Sequence, residues 1–141
     1  MEHGEQDPQG EFPEADVEAT TILVVSDVPR SVEWWAGRIG ARLERTYGGD
    51  SAVMRFAGTW LLLVAGGPPT ADKPAITFEP PQGSASVSHA ITVRVSDCRH
   101  VHDVLAGRGV TFLTPPIRNV HEVRCFTADP DGHLLEFSEL V

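Results

Sequence analysis

The chain has 141 residues and 15.3 kDa, the size of one domain, and 41% of its residues are apolar, which argues against wholesale disorder. Its longest apolar run, Trp60 to Ala65, falls far short of the roughly 20 residues of a membrane span, and the acidic start carries no apolar leader segment. Of the net charge of −9, residues 1–18 contribute seven acids and no base, leaving 13 acids against 11 bases elsewhere, so the basic footprint that nucleic acid requires is missing.

Residues 1–18 are expected to be a disordered, dispensable tail, because seven like charges have little to bury. Thr20 to Ser26 (TTILVVS) is rich in β-branched residues and reads as a strand. Asp27 follows as a helix cap with Pro29 in the first turn, and Val32, Trp35 and Ile39 recur at helical spacing before Gly40 stops the helix. Three strands are expected next, at Ala41 to Tyr47, Ala52 to Phe56 and Trp60 to Ala65, with Gly48-Gly49 and Ala57-Gly58 as turns. Gly66 to Val87 contains five prolines and reads as a connector crossing the surface.

The order then repeats. Val25-Ser26-Asp27 recurs as Val95-Ser96-Asp97 and Ala36-Gly37-Arg38 as Ala106-Gly107-Arg108, both at a shift of 70 residues. His89 to Ser96 is a strand by this reading, and Asp97 caps a helix running to about Ala106, with Val101, Val104 and Leu105 on its buried face. Val110 to Leu113, His121 to Ala128 and His133 to Leu140 are the remaining strands. Asp129-Pro130-Asp131-Gly132 forms the tight turn between the last two. The expected fold class is α+β. Two βαβββ modules, 19–65 and 88–141, are joined by a linker, 66–87, and bury each other's or a partner's sheet faces.

The strand ending in Val25-Ser26-Asp27, the helix with Ser31 and the Trp34-Trp35 pair, the Gly40 stop, and above all DPDGHLLEF at 129–137 resemble the vicinal oxygen chelate superfamily of glyoxalases, bleomycin-resistance proteins and extradiol dioxygenases. The resemblance covers about residues 19–141. It implies paired modules whose sheets curl around a pocket, in a homodimer. Metal-dependent members carry four ligands, two near the starts of the modules' first strands and two on their last strands. Carried onto this sequence, those positions are Thr20, Leu62, Ala90 and Glu136, and only Glu136 is an ordinary ligand. If a metal were bound, His89 and His121 would be the residues to join Glu136. His100, His102 and His133 read as surface residues. No cofactor is expected.

Strand alternation selects the pocket lining. If Glu136 faces inward, Leu134 and Ser138 share its face, as do Thr20, Ile22 and Val24 on the first strand and Ala90, Thr92 and Arg94 on its repeat. The resemblance adds the residues three and five before Asp129 on the strand before DPDG, which are Phe126 and Arg124. Trp60 is a candidate aromatic wall, with Met54 or Arg55 opposite. A buried arginine needs a partner, and Arg124 can take Glu136 or an acidic group on a ligand. Cys98 and Cys125 form no CxxC pair and read as reduced thiols of a cytoplasmic protein.

No G-x-S-x-G, G-x-G-x-x-G or Walker A pattern occurs. Two functions stay open. One is metal-free binding of a small aromatic or polycyclic compound, as in drug-resistance members. The other is a glyoxalase-like lyase or isomerase, or a dioxygenase-type enzyme, working around Glu136. Either way the expected partners are a small organic ligand and a second copy of the chain, with neither nucleic acid nor membrane.

Overall fold

The computed structural model describes residues 10–83 and 85–141. The first half comprises β1 (Thr20–Val25), α1 (Val28–Trp34) continued by a π-helical turn (Trp35–Ile39), β2 (Arg42–Tyr47), β3 (Ser51–Phe56) and β4 (Thr59–Ala65). The second comprises β5 (Ile91–Arg94), α2 (Cys98–Gly107), β6 (Ile117–Arg118), β7 (Glu122–Ala128) and β8 (Leu134–Leu140). Each half makes one four-stranded sheet, in the orders β1-β4-β3-β2 and β5-β8-β7-β6. In both, the first strand runs parallel to the last and the other pairs are antiparallel. Ile22 stands opposite Leu62 as Thr92 stands opposite Glu136, so the two modules share one register. Among the described residues no helix is long and apolar enough to cross a membrane.

The helices start where their caps dictate. The Asp27 carboxylate accepts from Arg30 N at 3.1 Å and that of Asp97 from His100 N at 3.0 Å, each satisfying an N–H that the first turn leaves free. Gly40 (φ 93°) and Gly109 (φ 90°) end the helices in the left-handed conformation. Gly40 lies thirteen residues beyond Asp27, but Gly109 only twelve beyond Asp97. The first helix absorbs its extra residue as the π turn, in which Gly40 N and Ala41 N both bond Trp35 O.

The alternate residues of each sheet face the helices. Leu23, Val25, Ala52, Met54, Leu61 and Leu63 form the core with Trp35 and Ile39. Val123, Cys125, Leu135 and Phe137 do so with Cys98 and Leu105. Val104, expected on the buried face of α2, is 38% exposed, because only one stripe of that helix meets β7 and β8.

The second module departs from the sequence reading at its second strand. Val110 to Leu113 pairs only through an isolated bridge from Phe112 to Thr127 and the bond from Leu113 N to Phe126 O. Pro115 and Pro116 have no N–H to donate, and the ladder resumes only at Ile117. The connector folds back on itself through paired bonds between Gly67 and Phe78. Gly66 is required there, since a Cβ would stand 2.8 Å from the Phe78 carbonyl oxygen.

The turn between β7 and β8 fastens the modules together. Asp129, 4% exposed, accepts through Oδ1 from Asp131 N at 3.0 Å and His133 N at 2.8 Å, and through Oδ2 from Trp35 Nε1 of the other module at 3.4 Å. Asp131 Oδ1 accepts from Ser26 N at 3.1 Å, and His133 Nε2 lies 2.8 Å from the Val24 carbonyl oxygen, to which it donates. Burial pushes the Asp129 carboxyl up, against the downward pull of the bonds from His133 and Asp131. Asp129→Ala should therefore cost about 3 kcal/mol or more, since each buried N–H left without an acceptor costs about 1–3 kcal/mol. Asp131→Ala, which removes one exposed bond to Ser26, should cost about 1 kcal/mol. Urea unfolding at constant m-value checks this, and equal losses in the two variants would refute the ranking.

Candidate functional site

The strand residues that do not face the helices form an open face on each sheet, and these faces differ in chemistry. On the first sheet they are Thr20, Ile22 and Val24 beside Trp60, Leu62 and Val64. On the second, Thr92 and Arg94 lie beside Glu136 and Ser138, which in turn lie beside Phe126 and Arg124.

The second face carries a continuous polar network. Thr92 Oγ1 donates to Glu136 Oε1 at 2.6 Å, and Arg124 Nη1 stands 3.6 Å from Glu136 Oε2 and 3.3 Å from Glu122 Oε2. Ser138 Oγ donates to Glu122 Oε1, and Arg94 Nη1 reaches Ser138 Oγ at 2.5 Å and Glu122 Oε1 at 3.9 Å. Two guanidinium groups thus meet two carboxylates. The bond from Ser138 holds the Glu122 carboxyl below its ordinary value against the opposing effect of burial, with the charges of Arg124 and Arg94 adding to the lowering. The Arg124 guanidinium also lies 5.6 Å from the centre of the Phe126 ring. Its side chain remains 42% exposed. Its longer contact to Glu136 leaves donor capacity for an incoming oxygen.

A cavity of about 400 Å³ lies at the DPDG end of this face, lined by Ile22, Val24, Leu134, His89, His133 and connector residues including Pro81 and Val87. Leu134 is one rung from Glu136 on the same side of β8, so the cavity adjoins the network.

Six of the residues singled out from sequence, Thr92, Arg94, Arg124, Phe126, Glu136 and Ser138, share one face. Trp60 and Thr20 are cross-strand neighbours on the other sheet. There Trp60 Nε1 donates to Glu18 at 2.9 Å, and the Arg55 guanidinium covers its ring at 4.2 Å. Met54, the alternative partner for Trp60, is in the core. His89 precedes β5 rather than lying in it. Its ring is 5.7 Å from that of His133. His121 is exposed at the head of β7. Of the histidines read as surface residues, His133 is 6% exposed because the DPDG turn presses it onto Val24, while His102 is half-buried and packs on Phe112 with ring centres 4.5 Å apart. Glu122, the centre of the network, was missed, although it shares a strand face with Arg124 two residues on. The connector's part in the cavity had no signal, since Pro-rich segments have no periodicity to read. Of the acidic tail, residues 1–9 lie outside the described residues.

The residues do not fit the metal that the resemblance implies. Thr20 faces Trp60, Leu62 and Ala90 offer no donor, and Glu136 is held by Thr92 and Arg124. Among the described residues no three His, Cys, Asp or Glu side chains gather in a way that could hold an ion.

The profile of the Glyoxalase/Bleomycin resistance protein/Dioxygenase superfamily matches residues 18–137. No curated protein matches the chain in sequence. A glyoxalase/bleomycin resistance protein/dioxygenase from Nocardioides is similar in structure at TM-score 0.72 and 22% identity, with 91% of this chain and 85% of that one covered. A lactoylglutathione lyase from Agrobacterium tumefaciens is similar at TM-score 0.67 and 14% identity, covering 90% and 95%. TioX from Micromonospora sp. ML1 is similar at TM-score 0.64 and 21% identity, covering 89% and 99%. Identities this low carry the fold and leave the chemistry open. With the profile match spanning most of its length, the chain belongs to the glyoxalase/bleomycin resistance protein/dioxygenase superfamily.

Proposed function

We propose that this protein binds a small aromatic or polycyclic organic molecule without a metal, as drug-binding members of the superfamily do. The observation that carries the reading is a mainly apolar cavity at the DPDG end of a sheet face that, farther along its strands, carries a network of two arginines and two glutamates. The cavity, with Ile22, Val24 and Leu134, takes the ligand's apolar body. The exposed side of Arg124, with Thr92 and Ser138 nearby, takes a hydroxyl or carboxylate at its polar end. Phe126 sits beside Arg124 and stacks with flat rings. The protein works as a homodimer in this reading, supported by the exposed apolar residues Leu113, Ile117, Val120 and Leu140 around the outer edge of the second sheet.

The test is a calorimetric screen of aromatic and polycyclic natural products, with elemental analysis of protein purified without added metal. Arg124→Ala should weaken the best ligand by about 2 kcal/mol or more. Glu136→Gln should change affinity and leave metal content at zero. Near-stoichiometric Mn, Fe, Ni or Zn that vanishes in Glu136→Gln or His89→Ala would overturn the reading in favour of a metal-dependent enzyme. Light scattering should give about twice the 15.3 kDa of one chain.

Acid titration checks the network itself. The folded Glu122 carboxyl titrates below its ordinary 4.5. Its contribution is full above that value and is lost as pH falls through the lower folded one. Glu122→Gln should therefore be less stable than the parent at neutral pH and converge with it in acid, as pH falls below 4.5 and through the lower folded value. A constant difference across the whole range would show that the charge of Glu122 contributes nothing.

A further inference from the structure

The repeated Ala-Gly-Arg motif has no part in the open-face site. Its arginines instead meet where the two modules join, on the helical side. Arg108 Nη1 donates to the Arg38 carbonyl at 3.2 Å and lies 3.6 Å from where a Cβ on Gly40 would stand. Reciprocally, the Arg38 guanidinium lies 3.6 Å from where a Cβ on Gly109 would stand. Each arginine thus lies against the glycine that ends the other module's helix. A Cβ at either position would make only an ordinary contact with the arginine, and it is the left-handed backbone, φ 93° at Gly40 and 90° at Gly109, that calls for glycine.

This crossing borders a cleft of about 640 Å³ between the first helix and the end of β7, lined by Arg30, Glu33, Trp34, Arg38, Gly109 and Thr111 among others. Arg30, Trp34 and Arg38 follow one another at intervals of four residues, and the π turn alters the helical phase just before Arg38. Among the described residues neither Arg30 nor Arg38 makes a salt bridge. Glu33 alone does not balance them. Asp129 also borders the cleft, but its oxygens are taken by Asp131 N, His133 N and Trp35 Nε1. Trp34, packed edge-on against Trp35 with ring centres 5.3 Å apart, offers a braced indole. Two guanidinium groups without a carboxylate partner among the described residues, beside an aromatic wall, suit an anion attached to a flat apolar group.

We propose that this cleft is a second binding site, distinct from the open face, for a small aromatic anion such as an aryl phosphate or aryl carboxylate, with Arg30 and Arg38 holding the anion and Trp34 the ring. Because the cleft spans both modules, the ligand would also brace their junction.

Calorimetry with phenyl phosphate, and with inorganic phosphate as the ring-free control, tests this on the full-length protein. Phenyl phosphate should bind saturably below about 1 mM in low salt, and more tightly than inorganic phosphate. The double variant Arg30→Gln/Arg38→Gln, its fold checked by circular dichroism, should bind it about tenfold more weakly or worse. In Arg124→Gln, on the opposite side of the second sheet, the binding that the double variant loses should remain. The proposal fails if phenyl phosphate does not bind, if the double variant binds like the parent, or if Arg124→Gln abolishes binding, which would assign the anion to the open face.

Discussion

The Asp129 carboxylate is the point on which the two halves depend. Each sheet has a core face covered by its own helix, but neither module alone supplies partners for the groups at their junction. Asp129 gathers two N–H groups of its own turn and the indole N–H of Trp35 from the other module. Burying a carboxylate is costly, and that cost is offset only when its oxygens are fully hydrogen-bonded. The same turn carries Asp131 to Ser26 and His133 to Val24. Three consecutive contacts thereby set the second module against both β1 and the first helix.

That geometry decides where the charged network sits. With the turn anchored, β8 leaves it carrying Leu134, Glu136 and Ser138 on one face, beside Thr92 and Arg94 of β5 and Arg124 and Phe126 of β7. The equivalent turn of the first module, Ala57-Gly58, has no carboxylate, and the strand leaving it carries Trp60, Leu62 and Val64. Two modules of one topology have thus diverged into an apolar face and a charged one. A ligand with an apolar body and a polar end matches that asymmetry better than it matches a symmetric metal centre, whose four donor positions are here reduced to one carboxylate already engaged by Thr92 and Arg124.

The helical side shows a second asymmetry. One extra residue in the first helix becomes a π turn, and the repeat's two arginines then cross the junction onto each other's terminal glycines. The contacts hold the modules through backbone and packing. They leave Arg38, like Arg30, without a carboxylate partner among the described residues, beside an aromatic wall.

Local rules were enough to read most of the fold from sequence. Asp27 and Asp97 announce their helices because a carboxylate at that position bonds the free N–H groups of the first turn. Strand period placed Ser138 on the face that the resemblance gave to Glu136, because alternate side chains share a side wherever the strand is regular, and the resemblance added Arg124 and Phe126. Where the chain is irregular, only the tertiary structure decided. Val110 to Leu113 has the composition of a strand, yet its ladder is interrupted by two prolines with no N–H. His133 looks like a turn residue until the junction buries it against Val24. The connector's place on the cavity wall and the crossing of Arg38 and Arg108 depend on contacts between residues far apart in the chain. Periodicity records which face a residue takes within its own element. What that face meets is settled only when the modules close.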